Sequence, residues 1–147
     1  MSILQDIYAT IISAAGGDVP VDSTGKNLIA RIMDSGYAWR DKIFAEFGMG
    51  RALKFMLRWG DYKYIYHTNG GLEDLFDLHA DPDELNNIAA THQDVCEQCR
   101  TELVQYYKSY GFDEALNGEE LKRYSYEAHV KKGYLNMYPT WQKTVVD

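Results

Sequence analysis

Apolar residues recur at helical spacing at the start of the chain and at alternate positions in its middle. From residue 3 to residue 15 they lie three or four positions apart, which predicts an amphipathic helix that ends at the glycine pair 16–17. A loop follows this helix, and the segment LIARIMDSG, which begins at Leu28, predicts a short second helix. Residues 1–36 are therefore the first predicted region, an N-terminal helical segment.

Between residues 42 and 78 the pattern shortens towards a period of two, which is typical of half-buried β-strands. Four short segments are read as strands: KIFAEF, LKFMLRW, YKYIYH and LEDLFDL. Gly60-Asp61 and Asn69-Gly70-Gly71 separate the last three segments and suit tight turns. The middle of the chain therefore predicts an antiparallel meander with one face covered. The third segment carries tyrosine at every second position, and we expect these rings to pack in a core or against another domain.

Polar residues after the fourth segment predict a return to helix. Asp81 suits an N-cap, Pro82 the first helical position and Glu84 the third, so one capped helical turn is expected there. Thr91 and Asp94 are spaced to cap a longer helix in the same way. That helix has one apolar stripe, which ends before a glycine at position 111: Val95, Cys96, Cys99, Leu103, Tyr106, Tyr107 and Tyr110.

These elements predict an α+β fold in three regions. After the N-terminal helical segment, residues 37–111 form a small antiparallel sheet of about four strands packed by a long C-terminal helix. Residues 112–147 are rich in Tyr and Lys, lack strong periodicity, and are predicted to be a tail that wraps the surface.

Composition excludes some classes of partner. The chain has 147 residues and a net charge of −7, and its basic residues are scattered, which argues against nucleic-acid binding. No apolar run approaches the ~20 residues that cross a bilayer, so no membrane partner is expected. The N-terminal apolar stretch has no basic residues before it and is interrupted by Asp6, so it does not predict a signal peptide. The compartment stays open.

Four motifs carry a resemblance to a known family. DIYATIISAAG, PVDSTGKNL, RWGDYKYIY and LFDLHADPDELNNIA occur in this order, and together they resemble the C-terminal region of sulfatases in the alkaline phosphatase superfamily. The resemblance covers about residues 3–110, with Ala9 where proline is usual and Thr24 where aspartate is usual. It implies a small C-terminal domain packed on a large α/β catalytic domain, with residues 1–36 at the junction between them.

The resemblance also shows which chemistry this chain lacks. Sulfatases are expected to use a formylglycine made from a C/S-x-P-x-R motif and a divalent metal, usually calcium. None of the prolines of this chain stands two residues after Cys or Ser, and CEQCR has Gln98 at the proline position. We therefore expect no catalytic residue and no cofactor of its own. The predicted function is a non-catalytic C-terminal domain or fragment of a sulfuric ester hydrolase, inactive alone, that supports the catalytic domain and lines the substrate cleft.

One loop is the candidate for contact with a substrate. The segment EFGMGR, residues 46–51, is a glycine-bearing loop between strands, the kind of loop that carries specificity on a rigid scaffold. Within and beside it we single out Glu46, Met49, Arg51 and Arg58. A guanidinium pairs well with a sulfate oxyanion, although ordinary surface arginines explain the same pattern.

Two alternatives remain from the sequence alone. His92, Cys96 and Cys99 fall on one helix face and would present three metal ligands, whereas burial explains both cysteines without a metal. The tyrosine-rich sheet would also suit a stand-alone binding module for a protein or a carbohydrate. If the chain is instead a domain without its catalytic partner, the face that contacts that partner would be exposed. Such a face would be apolar and would favour self-association.

Overall fold

The computed structural model describes residues 1–128 and confirms the α+β fold. The helices and strands follow in this order: α1 Leu4–Ala14, α2 Leu28–Met33, β1 Lys42–Phe47, β2 Lys54–Trp59, β3 Tyr62–His67, β4 Leu72–Asp77, α3 Gln93–Tyr110, β5 Leu116–Asn117 and β6 Glu120–Leu121. Two short 3₁₀ helices lie at Gly50–Ala52 and Asp113–Ala115. Within residues 1–128 no helix is long and apolar enough to span a membrane.

Strands β1 to β4 form one sheet in chain order, and each strand is antiparallel to its neighbour. The alternating pattern places Phe55, Leu57, Tyr64 and Leu75 on one face, where all are fully buried. Gly60 supplies the positive φ, 58°, that the two-residue turn between β2 and β3 requires. The four predicted strands are therefore confirmed.

Helix α3 covers the buried face of the sheet. Its stripe brings Cys96, Cys99, Leu103 and Tyr107 into the core, where each is at most 1% exposed. The helix ends as predicted at Gly111, whose left-handed backbone (φ 71°) lets its amide and the next one bond the last carbonyls.

Both predicted helix caps are wrong. No helix follows Pro82, because Glu84 adopts a left-handed φ of 57° and the Asp81 carboxylate accepts the amide of Asn86 at 2.7 Å. The Glu84 carboxylate lies 2.6 Å from the Lys63 ammonium, and this ion pair replaces the expected return contact to the cap. The long helix also begins later than expected, without a side-chain cap.

Residues 112–128 complete the sheet–helix unit, which we define as residues 42–128. The β5–β6 hairpin and the 3₁₀ helix before it add Leu121 and Ala115 to the core. The closing segment, residues 124–127, then runs beside the β3–β4 turn. There the side-chain NH2 of Asn69 donates to the carbonyl of Glu127 at 2.8 Å, and the side-chain oxygen of Asn69 accepts the amide of Glu127 at 2.9 Å. Residues 129–147 of the predicted surface tail lie outside the described residues.

Candidate functional site

The two N-terminal helices expose the apolar residues that helical periodicity places on them. In α1, Leu4 is 78% exposed and Ile11 62%, and in α2 both Ile32 and Met33 are 81% exposed. We define the N-terminal apolar face as these and the other exposed apolar residues of the two helices: Leu4, Ile7, Tyr8, Ile11, Ile29, Ile32 and Met33. Several large apolar side chains exposed on two adjacent helices are typical of a surface that contacts another protein body.

The residue that α1 buries most completely is charged. Asp6 is fully buried, and both of its carboxylate oxygens accept hydrogen bonds of 2.6 Å from the guanidinium of Arg40. The backbone amides of Ile3 and Lys26 donate to the same carboxylate, each at 2.8 Å. Burial alone would raise the pKa of Asp6, but the hydrogen bonds and charge of Arg40 and the two amides outweigh it and lower that pKa to about 2.

This polar cluster fixes the helices to the chain that leads into β1. Gly25 allows the loop to pack closely against α1, because a Cβ at this position would lie 2.1 Å from the carbonyl oxygen of Gln5. The Thr10 hydroxyl accepts the amide of Leu28 at 2.9 Å and so joins α1 to the start of α2. The N-terminal helices are thus held by buried polar contacts while most of their large apolar side chains face outward.

Three of the four predicted cleft residues share one end of the sheet. Glu46 lies at the exposed end of β1, where it accepts a hydrogen bond of 3.3 Å from Tyr107, and Met49 is 80% exposed at the tip of the loop. Arg51 lies behind that tip. Arg58 is at the opposite end of β2, where its guanidinium donates to the carbonyl of Tyr62 at 3.0 Å. A role in a substrate cleft remains a prediction for all four.

The loop between β1 and β2 has a backbone that only glycine allows. Gly48 has a φ of 92°, and a Cβ at this position would lie 2.5 Å from the carbonyl oxygen of Ala52. The tight fold of the loop presents Phe47, which is 75% exposed, and Met49 at its tip. The loop therefore has a defined backbone conformation that exposes these two side chains.

Arg51 holds the closing segment, a role that sequence reasoning missed. Its guanidinium donates to the carbonyl of Ser125, pairs with the Glu127 carboxylate at 3.0 Å and lies 5.5 Å from the centre of the Tyr124 ring. These partners are more than 70 positions away in the sequence, in a segment without periodicity. The pattern of residues around Arg51 therefore could not predict the contacts.

A small pocket of about 200 Å³ opens beside Arg51. Its described lining consists of Arg51, Ala52, Leu53, Lys54, His67, Asn69, Leu72 and Tyr126, a set without Asp or Glu. Two lining residues pair with carboxylates that lie outside that lining: Arg51 with Glu127 at 3.0 Å, and the His67 ring nitrogen with Asp74 at 2.7 Å. Arg51 and Lys54 are therefore the charged side chains that line the pocket itself.

A larger groove of about 670 Å³ lies between α3, the start of β4 and the β5–β6 hairpin. It carries more acidic than basic side chains: Glu73, Glu97, Glu119 and Glu120 against Arg100, Lys108 and Arg123. At its floor Glu73 accepts hydrogen bonds from both Tyr64 and Arg100. Burial, and then Glu73, raise the pKa of the Tyr64 hydroxyl, so it stays protonated and acts as a donor. The mixed charge of this groove favours no anion.

The alternative metal site is not assembled. Within residues 1–128 no three His, Cys, Asp or Glu side chains are arranged to hold a metal ion. The His92 ring lies 2.9 Å from the Thr91 hydroxyl, while Cys96 and Cys99 are fully buried under the sheet. Burial raises the pKa of Cys96 to about 11 and that of Cys99 to about 12, which keeps both thiols protonated.

The tyrosines of β3 lie in the core. Tyr64 is fully buried and Tyr66 is 6% exposed, and both belong to the cluster under α3. This confirms the predicted packing role for these two rings. A binding module that used them as an exposed platform would have no such surface here.

The sequence of the chain is similar to those of known sulfatases. No protein-family model matches the chain. It is 36% identical over 105 residues to arylsulfatase K of Canis lupus familiaris, covering 63% of this chain and 19% of that protein. It is 28% identical over 162 residues to arylsulfatase K of Rattus norvegicus, covering 95% of this chain and 28% of that protein. The chain thus spans less than a third of the curated relatives it matches.

Solved structures share the fold. A structure described as BT1596, a 2-O GAG sulfatase, matches with a TM-score of 0.65 and 23% identity. The match covers 74% of this chain and 25% of that one. The architecture of a small sheet and a long helix is therefore the same in both molecules over most of the described residues.

Proposed function

Because this chain belongs to the sulfatase family, we propose that it is the non-catalytic C-terminal domain of a sulfatase, which supports the catalytic domain and lines one side of its substrate cleft. The observation that carries the proposal is the N-terminal apolar face. Its large side chains are exposed on helices that buried polar contacts hold in place, so the face is fixed and ready to be covered. The proposed occupant of that face is the catalytic domain.

The chemistry of a sulfatase is proposed for the parent enzyme and not for this chain. A formylglycine hydrate would attack the sulfur of a sulfate ester, and a divalent metal such as calcium would stabilise the departing charge. The residues of this chain fit neither group. The sequence has no C/S-x-P-x-R motif, and within residues 1–128 no three ligand side chains converge on a metal position. No step of the reaction is therefore assigned to them.

What this chain would contribute is position. The Asp6–Arg40 cluster fixes the two helices that carry the docking face. The β1–β2 loop, shaped by Gly48, would bring Met49 and Arg51 to the rim of the cleft. The proposed substrate of the parent enzyme is a sulfate ester, as the names of the curated relatives suggest.

An aryl-sulfate assay of the pure chain tests the absence of catalysis. We expect no turnover, and Cys96→Ala should leave that result unchanged because the thiol is buried and protonated. Clear sulfatase activity that disappears in Cys96→Ala would overturn the proposal.

Docking is tested in the longer sulfatase polypeptide that the proposal requires. We expect Ile32→Glu, in the N-terminal apolar face, to lower sulfatase activity at least tenfold by placing a charge in a buried interface, which is roughly 1.4 kcal/mol or more. The matched control is Val21→Glu, at a fully exposed loop position outside that face. In the chain alone, the same Ile32→Glu change should weaken self-association measured by sedimentation velocity. Equal activity of the two variants in the longer polypeptide would contradict docking through this face.

A further inference from the structure

We propose that the pocket beside Arg51 binds a sulfate group carried on a ring. Arg51 and Lys54 would hold the anion, Tyr126 would contact the ring, and the ligand would displace the Glu127 carboxylate from Arg51. This deepens the proposed function, on which it rests for the class of ligand, and it assigns a ligand-binding role to residues of the supporting domain.

Charge is the first argument for an anion. Arg51, Lys54 and His67 line the pocket, and the carboxylates that pair with Arg51 and His67 lie outside its described lining. The larger groove next to α3 has more than three times the volume, but its acidic side chains outnumber its basic ones. An anion in the pocket would therefore meet basic side chains and no carboxylate of the lining, whereas in the groove it would meet four glutamates.

The ion pair of Arg51 is the second argument. The Arg51 side chain is 31% exposed, whereas its partner Glu127 is 64% exposed and reaches in from the closing segment. An exposed carboxylate held by one such contact contributes little to stability and exchanges readily for another oxyanion. The other nitrogen of the guanidinium stays bonded to the Ser125 carbonyl, so the fork keeps its orientation during the exchange.

The ring platform is the third argument. Tyr126 is 62% exposed and lies directly over Gly70, where a Cβ would come within 3.1 Å of the tyrosine ring. Gly70 thus leaves room for the Tyr126 side chain against the β3–β4 turn. Leu72, 53% exposed, adds apolar surface beside it. An apolar ring face next to a pocket lined by Arg51 and Lys54 suits a ligand that joins a ring to an oxyanion.

The size of the pocket limits what it holds. Complete small-molecule sites enclose roughly 300–1,000 Å³. A volume of about 200 Å³ accommodates one charged group and the edge of one ring. The pocket therefore fits one unit at the end of a ligand whose remainder lies elsewhere.

NMR titration of the chain tests the proposal with four probes: 4-nitrophenyl sulfate, glucose 6-sulfate, inorganic sulfate and glucose. We expect saturable shifts of the Arg51 side-chain and Tyr126 ring signals with the sulfates and none with glucose. A ring-bearing sulfate should bind about threefold more tightly than inorganic sulfate because Tyr126 adds a contact. The tighter of the two ring-bearing sulfates identifies an aryl or a sugar ligand, and either outcome supports the site.

Charge variants separate this site from general attraction of anions. Lys54→Gln should weaken binding of the ring-bearing sulfates about fivefold, and Glu127→Gln should strengthen it about threefold, since the competing carboxylate is gone. The matched control is Lys63→Gln, which removes the same charge from β3 beside Glu84 and should leave binding unchanged. Equal losses in Lys54→Gln and Lys63→Gln, binding of glucose, or weaker binding in Glu127→Gln would each overturn the proposal.

The titration uses the chain alone and involves neither turnover nor docking. Loss of the pocket's binding would therefore leave the supporting-domain proposal intact. A failed docking test would in turn leave the measured affinities standing.

Discussion

The sheet–helix unit buries mainly large apolar residues, whereas the N-terminal helices bury one charged residue and one small apolar residue. In the sheet–helix unit, Phe55, Leu57 and Leu103 are fully buried between the sheet and α3. In the N-terminal helices the buried residues are Asp6 and Ala9, and the large apolar side chains lie outside. Hydrophobic burial is the dominant favourable contribution to folding. The sheet–helix unit therefore has its own source of stability, whereas the N-terminal helices depend on a few polar contacts and on whatever covers them.

The largest expected effect compares two leucines on helices. Leu103→Ala leaves a cavity in the core and should lower the free energy of unfolding by about 4 kcal/mol in urea denaturation followed by circular dichroism. Leu4→Ala, the matched change on α1, should alter it by less than about 0.5 kcal/mol because that side chain is 78% exposed. A similar cost at both positions would remove the contrast between the two regions.

Asp6→Ala attacks the polar cluster of the N-terminal helices. It leaves the Arg40 side chain, which is 12% exposed, without its carboxylate, which should cost about 3 kcal/mol. The loss should be local. Amide hydrogen exchange is expected to accelerate throughout α1 while the amides of α3 keep their protection. Asp18→Ala, at an exposed loop position, serves as the control, and loss of protection in α3 would show that the two regions unfold together.

Low pH should destabilise the N-terminal helices of the wild-type chain through protonation of Asp6. The pKa of Asp6 is lowered in the folded state from 3.8 to about 2, so the stabilisation it gives is complete above pH 3.8 and is lost as the pH falls through about 2. The difference corresponds to about 2 kcal/mol for the N-terminal helices. The NMR signal of the buried Ala9 methyl should report this loss between pH 6 and pH 2, and Asp6→Ala should show no such dependence.

The smallest expected effect concerns the polar network of the sheet–helix unit. Tyr64→Phe removes one donor to Glu73, which keeps Arg100, so the free energy of unfolding should fall by only about 1 kcal/mol. Tyr8→Phe, on the half-exposed surface of α1, is the matched control and should be neutral in the same urea titration. A cost at Tyr64 equal to that of Asp6→Ala would mean that both regions rely on buried polar contacts to the same degree.

The sequence predicted the sheet–helix unit closely because its strands and its long helix follow from patterns of neighbouring residues. Period-two alternation placed all four strands, and the tyrosines of β3 entered the core as their spacing required. Gly111 ended α3 because a left-handed residue was needed there. The cap at Asp81 failed because a contact distant in the chain, Lys63 with Glu84, competed with the local motif. At Thr91 the hydroxyl donates instead to the carbonyl of Ile88, three residues earlier.

The candidate site was only partly predictable for the same reason. The loop 46–51 was identified from its glycines, and Arg51 does line a small pocket. Its partners in the closing segment and the pairing of Asp6 with Arg40 join positions 34 or more residues apart. Helical periodicity predicted that α1 has an apolar stripe, but the stripe itself does not indicate whether this chain or another body covers it.

The two thiols of α3 become accessible to reagents only when the core between α3 and the sheet opens. Cys96 and Cys99 are fully shielded and protonated in the closed state, whereas thiol reagents attack thiolates that solvent reaches. Alkylation in dilute reagent therefore proceeds only when α3 lifts from the strands beneath it. At low reagent concentration the labelling half-life of the wild-type chain thus measures the fraction of molecules in which the core is open, with no engineered probe.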